Sequence, residues 1–390
     1  MKQSGSLWGR IKLWFAARMF IVLVALGSGT RRRRMSHNNA AAGRGKARIV
    51  DDPEFPETEF FEAGREFPCR IRHAAVAYWD DSMHVARSAT LKFADTNFES
   101  PFDVQMNTGR YAFFWNARTF LQFAFWRKEQ QGIEYEKYYK RYPQGRKAAA
   151  SAFRRNPSSY GQLFFHSQTP FGWHAKDGKL RYAKFRLIPE DGIESAAPTQ
   201  EFVDECFRDE AMAPKLANQR TLPGETRSIN YLKNEYAERL AKGSIKYRLQ
   251  LQLLEHQDDQ DPEVLNPHVY WDEETCPFME LATIDIDEAL SFDEMSWLTY
   301  EVTHLPESMS ILKARDMEDY NSLNSMRVQA IWAIRSRWFF PAAVRRPAEL
   351  SRRPCTRLQP AGHVIDCRIH SALAIPSSHT GREATDRIPS

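Results

Sequence analysis

The 390-residue chain contains no CxxC pair. Its five cysteines, Cys69, Cys206, Cys276, Cys355 and Cys367, are odd in number and irregularly spaced. That excludes a disulfide framework as the basis of the fold and fits free thiols in a reducing compartment. There is no P-loop, no GxGxxG after a strand, no HExxH and no GxSxG, which excludes the functions with the most compact sequence signatures. An excess of one charge is also missing. The 54 basic and 50 acidic residues leave a net +4, too little to argue for a nucleic-acid partner. No internal repeat is visible. The apolar run over 19–26 falls far short of the ~20 residues a spanning helix needs.

What is present is a globular composition. Hydrophobic residues make up 42 % and charged residues 27 %, enough to bury a core in one large domain or two ordinary ones. Aromatics, at 13 %, are somewhat rich and suit a protein that encloses a flat apolar ligand, or simply a well-packed barrel. Segment 1–29 places Lys2, Arg10, Lys12 and Arg18 before the short apolar run. It reads as a buried or amphipathic helix, as a membrane-surface anchor, or as a cleaved signal, although Arg31 to Arg34 follow at once and disfavour secretion. Segment 30–335 is the expected domain. Beyond it, over 336–390, periodicity stops, Arg, Pro and Ser become frequent, and no Tyr follows Tyr320. This tail is expected to be disordered and also resembles an altered reading frame or splice error.

Hydrophobic alternation predicts strands over 70–79, 86–94 and 102–106, with a turn at 80–82. Segment 40–46, small and glycine-containing, is expected to be a loop. Helices are expected over 120–131, 145–156 and 200–211. Strand character returns over 162–169 and 179–189, and the turn Lys176-Asp177-Gly178 predicts a hairpin between them. A helix over 228–242 starts with Ser228 as first-turn acceptor and stops at Gly243. Segment 244–254 alternates Ile245, Tyr247, Leu249, Leu251 and Leu253 against polar residues, a strand with one buried and one wet face. Another strand is expected over 278–286. Hairpin-linked strands with helices grouped between them predict an α+β antiparallel protein, closing into a barrel.

Several ordered blocks then carry a resemblance. They are Ile49-Val-Asp-Asp-Pro-Glu-Phe-Pro-Glu-Thr-Glu-Phe-Phe-Glu-Ala-Gly-Arg-Glu-Phe-Pro68, Leu91-Lys-Phe-Ala-Asp95, Met106-Asn-Thr-Gly109, Phe114-Trp-Asn116, Ala175-Lys-Asp-Gly-Lys-Leu-Arg-Tyr182, Tyr247-Arg-Leu-Gln-Leu-Gln252 and Asp319-Tyr-Asn-Ser-Leu323. Over about 30–335 the chain resembles the catalase-related, allene oxide synthase-like haem proteins of corals, bacteria and fungi. The resemblance implies a catalase-like antiparallel β-barrel with surrounding helices and haem b as cofactor. It also implies a fatty-acid hydroperoxide as substrate, and often a lipoxygenase as the partner that supplies it. The expected location is cytoplasmic, with contact to a membrane surface.

The resemblance also assigns residues. Arg34-Met-Ser-His37 matches the family's Arg-x-x-His step. It places His37 over the iron to handle the peroxide proton, a task suited to a near-neutral pKa, and Arg34 at a haem propionate. Ser36 stands where catalases carry Val and the allene oxide synthase-like members carry Thr, so a hydroxyl beside His37 favours lipid hydroperoxides over hydrogen peroxide. Asn107 matches the distal Asn that donates to a peroxide oxygen. The alternative for Asn107 is a turn-forming residue of Asn-Thr-Gly. Arg87 matches a second propionate ligand, the alternative being an exposed strand Arg. Phe120 falls on the haem face, or in an ordinary core.

On the proximal side the family binds iron through a Tyr four residues after an Arg. Arg327 is present and would favour a phenolate. The fourth residue on is Ile331, which has no donor atom, and Trp332 offers only an indole N–H. Three readings stay open: conversion of fatty-acid hydroperoxides, a non-catalytic protein that keeps the fold without the ligand, and a catalase or peroxidase acting on hydrogen peroxide with another proximal ligand.

Overall fold

In the computed structural model of the chain, residues 7–28, 37, 40–75, 81–82, 85–125, 136–154, 156–198, 200, 204, 224–257 and 259–335 are described. Eleven strands follow in chain order: β1 (Ala40–Ile49), β2 (Glu66–Ala75), β3 (Val85–Lys92), β4 (Asp103–Asn107), β5 (Phe153–Arg154), β6 (Phe165–His166), β7 (Phe171–His174), β8 (Leu180–Pro189), β9 (Ile245–Glu255), β10 (Met279–Ala289) and β11 (Met309–Ser310). Hydrogen bonding runs β1-β2-β3-β4-β6-β8-β9-β10 and returns to β1, so eight strands close an antiparallel barrel. Closure removes the exposed edges that an open sheet would leave. β7 pairs with β8 and β11 with β7, while β5 pairs with β3.

Alternation fills the barrel. Ile71, Ala89, Val104, Phe165, Leu187, Leu249, Ile284 and their neighbours are fully buried in one core cluster. Each of these side chains larger than Ala stabilises the fold by roughly 1.5–3 kcal/mol. The expected wet face of β9 is wet only at its start, where Lys246 is exposed; Gln250 and Gln252 are buried. Gln252 Nε2 donates to the carbonyls of Trp271 (3.1 Å) and Cys276 (2.6 Å), so segment 262–276 covers this face.

The expected loop over 40–46 is instead the first half of β1, a central barrel strand. The reason is close approach. A Cβ on Gly45 would lie 1.9 Å from the Asp285 carbonyl oxygen, and the β1–β10 register shifts at Arg44/Gly45. Small residues mark a β-bulge there, not the absence of a strand.

Seven helices are described. They are α1 (Leu7–Ser28), α2 (Ala117–Phe125), α3 (Glu136–Arg141), α4 (Gln144–Ala152), α5 (Tyr231–Lys242), α6 (Phe292–Trp297) and α7 (Ser322–Arg335). α5 lies against β1 and β10 through Tyr236 and Leu240. It begins after Asn230, and Ser228 Oγ accepts only from the Asn230 amide (3.3 Å), so Ser228 is not the cap. The helix expected over 145–156 stops at Ala152 because Phe153 and Arg154 pair with β3, where Arg154 Nε binds Glu194 at 2.7 Å. The hairpin across Asp177-Gly178 joins β7 to β8; β6 meets β8 only at Phe165 and His166. The helix expected over 200–211 falls mostly outside the described residues, as do 126–135 and 336–390.

α1 packs on α7. Leu13, Ala17, Ala117 and Met326 form a small buried cluster, joined by Phe20, Phe120 and Leu121. Among the described residues no helix is long and apolar enough to cross a membrane.

Candidate functional site

The barrel register brings scattered sequence positions into one row. Ala74 on β2 faces Ser88 on β3, Ser88 faces Asn107 on β4, Asn107 faces His166 on β6, and His166 faces Arg186 on β8. Their chain neighbours His73, Ala89, Met106 and Phe165 point into the core, so this row lies on the outer face of the barrel. Ser88 Oγ donates to the Ala74 carbonyl at 3.2 Å. Asn107 is half-buried and ends β4.

The turn reading of Asn-Thr-Gly also holds. Gly109 has φ +92°, and a Cβ there would meet Ala152 Cα at 2.6 Å. Thr108 Oγ1 accepts from the Arg87 amide (2.9 Å) and donates to the Ala152 carbonyl (2.6 Å). A turn that fixes Asn107 at a strand end is compatible with either role.

His37 lies three residues before β1, whose first residue, Ala40, pairs with Ala74 of this row. Its φ is +59°, uncommon for a non-glycine residue, and its carbonyl accepts from Arg72 Nη2 on β2 at 2.7 Å. Arg34 and Ser36 lie outside the described residues. Arg87 is not the exposed strand Arg of the alternative reading. It is fully buried, and its guanidinium donates to the carbonyls of Val85 (2.8 Å) and Asp81 (2.5 Å). It also alternates to the opposite face of β3 from Ser88, so the structure does not bring it to the face carrying Asn107. Phe120 sits edge-on to Phe20 of α1 (5.1 Å) and Phe114 (4.9 Å), in the cluster between α1, α2 and α7.

The far wall is α7. Its start is tied to α2: Ser322 Oγ accepts from the Ala117 amide at 2.7 Å, and Asn116 Nδ2 donates to the Glu318 carbonyl at 3.0 Å. Arg327 Nη1 donates to Thr169 Oγ1 (3.3 Å) and Asn324 Oδ1 (2.8 Å), both neutral. Burial alone pulls Arg327 down to about 10. The adjacent Gln168, itself at φ +59°, donates through Nε2 to the carbonyls of Gly109 (3.0 Å) and Tyr111 (3.2 Å). A short chain of contacts, Arg327 to Thr169 and Gln168 to Gly109, thus links α7 to the strand end holding Asn107. Sequence reasoning missed Ser88, His166, Gln168 and Thr169. For Ser88 a signal existed, since period-two alternation from Ala86 puts it on the outer face.

Haem is the group the resemblance implies, and the donor chemistry tests it. Asn107 and His37 are polar groups of the right type on one side. On the other, Ile331 packs its side chain against the barrel core, and Arg327 has neutral acceptors where a phenolate partner is expected. The residues present do not fit a haem ligated from α7. Among the described residues no cluster of three or more His, Cys, Asp or Glu could hold a metal ion.

Two cavities border the barrel. One, of about 380 Å³, opens between Arg44, Lys46, Glu66, Asp95 and Asp287, away from these residues. The other, of about 700 Å³, starts just past Asn107 and Thr108, at Gly109 and Arg110, and is floored by His166 and Arg154.

No family model matches the chain. The allene oxide synthase-lipoxygenase protein of Plexaura homomalla is 36 % identical over 327 residues, 82 % of this chain and 29 % of that protein. Linolenate 9R-lipoxygenase of a Nostoc species is 25 % identical over 75 % of this chain and 37 % of its own length. The chain therefore spans well under half of either relative. Among solved structures, a bacterial catalase superposes with TM-score 0.59 over 84 % of this chain and 62 % of its own, at 14 % identity. A fungal catalase gives 0.54 over 76 % and 60 %, at 16 % identity. These two similarities establish the fold.

Proposed function

The chain belongs to the catalase-related, allene oxide synthase-like family, and on that premise we propose that it converts polyunsaturated fatty-acid hydroperoxides by rearrangement, dehydration or reduction. The observation that carries this reading is the similarity, over most of the chain, to a protein named for allene oxide synthesis. The placement of Asn107 at an ordered strand end beside Ser88 supports it. Haem b belongs to the reading as the family's cofactor. Ile331, on α7, has no donor atom for its iron.

The chain's own residues can still act on the hydroperoxide. The Asn107 amide donates a hydrogen bond to a peroxide oxygen and favours charge developing there. The His37 imidazole takes or returns the hydroperoxide proton, a role for which a histidine side chain is suited. A lipoxygenase is the partner whose chemistry supplies such a substrate, and both relatives carry that word in their names.

Cytoplasmic attachment to a membrane surface is part of the proposal. Leu7, Trp8, Ile11, Trp14 and Phe15 recur at helical spacing on α1 and are all exposed, Trp8 by 71 %. Arg10 and Lys12 flank them. An apolar stripe with basic flanks suits an anionic lipid surface.

One observation favours a second reading. Ile331 is packed against the core, not left facing a space, as expected of a non-catalytic member. The full chain, expressed with haem supply, is incubated with linoleate hydroperoxide while conjugated-diene absorbance is followed. The proposal expects loss of that absorbance, slowed on the order of a hundredfold in Asn107→Ala. Reduction to the alcohol would keep the diene, so the hydroperoxide itself is also titrated with iodide; unchanged absorbance together with unchanged hydroperoxide selects the non-catalytic reading.

A further inference from the structure

We propose that the cavity between Arg110, Lys147, Arg154 and His166 binds the carboxylate end of a long-chain fatty acid. The inference rests on the fatty-acid reading given above and adds to it where the acid group sits.

The position comes from the barrel register. His166 is the cross-strand partner of Asn107, and Gly109 and Arg110 follow Asn107 after one residue, Thr108. A lipid whose reactive segment lies at Asn107 therefore has this cavity beside it for one of its ends. The volume, about 700 Å³, is that of a small-molecule site.

The chemistry selects the carboxylate end. Arg110, Lys147 and Arg154 line the cavity against a single acid, Glu194. Glu194 is already engaged: its Oε1 accepts from Arg154 Nε at 2.7 Å and from the Phe164 amide at 3.1 Å. Arg110 pairs with the half-exposed Glu273 at 3.4 Å and lies over the Tyr270 ring, 4.6 Å from its centroid, both contacts at the exposed rim. Lys147 Nζ lies over the Tyr111 ring, 4.3 Å from its centroid, and among the described residues no carboxylate pairs with it. Two cations at the rim are thus available to an incoming anion.

The floor supplies an independent observation. His166 is 6 % exposed, lines the cavity, and makes no hydrogen bond with any described residue. Its ring nitrogens are not sealed from solvent, so they open onto the cavity, where a ligand or water can pair with them. Burial first, and then the charges of Arg186, Arg110, Arg154 and Lys184, hold it neutral, well below its usual range. A neutral imidazole keeps one N–H to donate to a carboxylate oxygen. The walls are apolar as well as cationic, with Tyr111, Phe164, Ala150 and Pro198 offering surface for methylenes. That mixture suits an amphiphile better than a small inorganic anion.

The test uses the full chain, without requiring haem. Binding of linoleate and of methyl linoleate is measured by calorimetry, for the unmodified chain and for Arg110→Gln with Lys147→Gln. Both positions are exposed, so the fold is expected to survive. The proposal expects linoleate to bind about tenfold or more tightly than its ester. It expects the double variant to lose that difference and to leave ester binding unchanged. His166→Phe, which keeps a ring at the floor, is expected to weaken linoleate alone. Equal binding of acid and ester, or an acid preference that survives the double variant, overturns the proposal. So does inorganic pyrophosphate binding at the cationic rim without displacement by linoleate, which would mark a site for phosphorylated ligands. Hydroperoxide turnover with a KM unmoved by the double variant would sink this site and leave the enzymatic reading standing. Acid-selective binding without any turnover would do the reverse.

Discussion

Arg327 and Ile331 stand one helical turn apart on α7, a half-buried cation followed by an aliphatic side chain where an anion would complete the pair. Arg327 donates only to Thr169 Oγ1 and Asn324 Oδ1. Ile331 packs into the barrel core. A phenolate at 331 would meet a cation already desolvated, and its charged form would be favoured.

Ile331→Tyr is therefore expected to convert the chain into a stoichiometric haem binder with a phenolate-type spectrum, whereas the unmodified chain is expected to bind haem substoichiometrically. Titration with haemin, read at the Soret band, checks this. The larger ring costs about 1–3 kcal/mol in stability through overpacking, so thermal melting accompanies the titration. A variant that folds and still rejects haem would show that the pocket, and not the ligand alone, has been lost.

The exposed stripe on α1 predicts membrane-surface binding. Cosedimentation with vesicles containing anionic lipid is expected to fall several-fold when Trp8 and Trp14 are both changed to Ala, and to fall also at high salt. Neutral vesicles are expected to bind less. Retention of full binding by the double variant would rule out α1 as the attachment point.

His73 predicts acid lability. It lies inside the barrel, stacked on Tyr160 (ring centroids 5.2 Å apart), with its Nε2 3.0 Å from the Tyr247 hydroxyl. Burial, with a smaller contribution from Arg72, lowers it to about 3. The unfolded chain protonates this His near pH 6.5 and the folded chain does not, so between those values the unfolded state holds the extra proton. Stability from this group is fully present above about pH 6.5 and is lost as pH falls toward 3, at up to about 1.4 kcal/mol per unit. Melting temperature should fall across that window, and His73→Phe should flatten the slope. Identical slopes in the two proteins would place the lability elsewhere.

The buried pair Lys92–Asp103 predicts a large mutational cost. Both side chains are fully inaccessible, and Lys92 Nζ lies 3.1 Å from each carboxylate oxygen. Asp103 Oδ2 also accepts from His304 Nδ1 (2.8 Å) and the Glu301 amide (2.9 Å), tying segment 301–304 to β4. Asp103→Asn is expected to destabilise by about 3–5 kcal/mol, because Lys92 is left without its counter-charge. Lys176→Gln removes the exposed, solvent-screened pair with Glu57 and is expected to leave the urea midpoint essentially unchanged. Urea midpoints separate the two; similar shifts would contradict this reading of burial.

Much of the architecture was legible because alternation and turn chemistry act locally. β9, β10 and the turn at Asp177-Gly178 declare themselves in period-two patterning and a turn glycine. β1 did not, because its small residues answer a contact with Asp285, more than two hundred residues away. Side-chain roles divided the same way. The missing donor at Ile331 is a fact of residue chemistry and needs no coordinates. That Arg87 turns to the other face of β3 follows from strand alternation, but the Val85 and Asp81 carbonyls that hold it are set by the local fold.

By itself, then, the sequence determined the barrel class, the family resemblance and the absence of an iron ligand on α7, all of which rest on residue identity and short-range periodicity. Only the tertiary structure decided that Asn107 and His166 are neighbours and that Arg327, half-buried, meets neutral acceptors. Register around a closed barrel and the docking of a distant helix are long-range choices, fixed by how the whole chain packs.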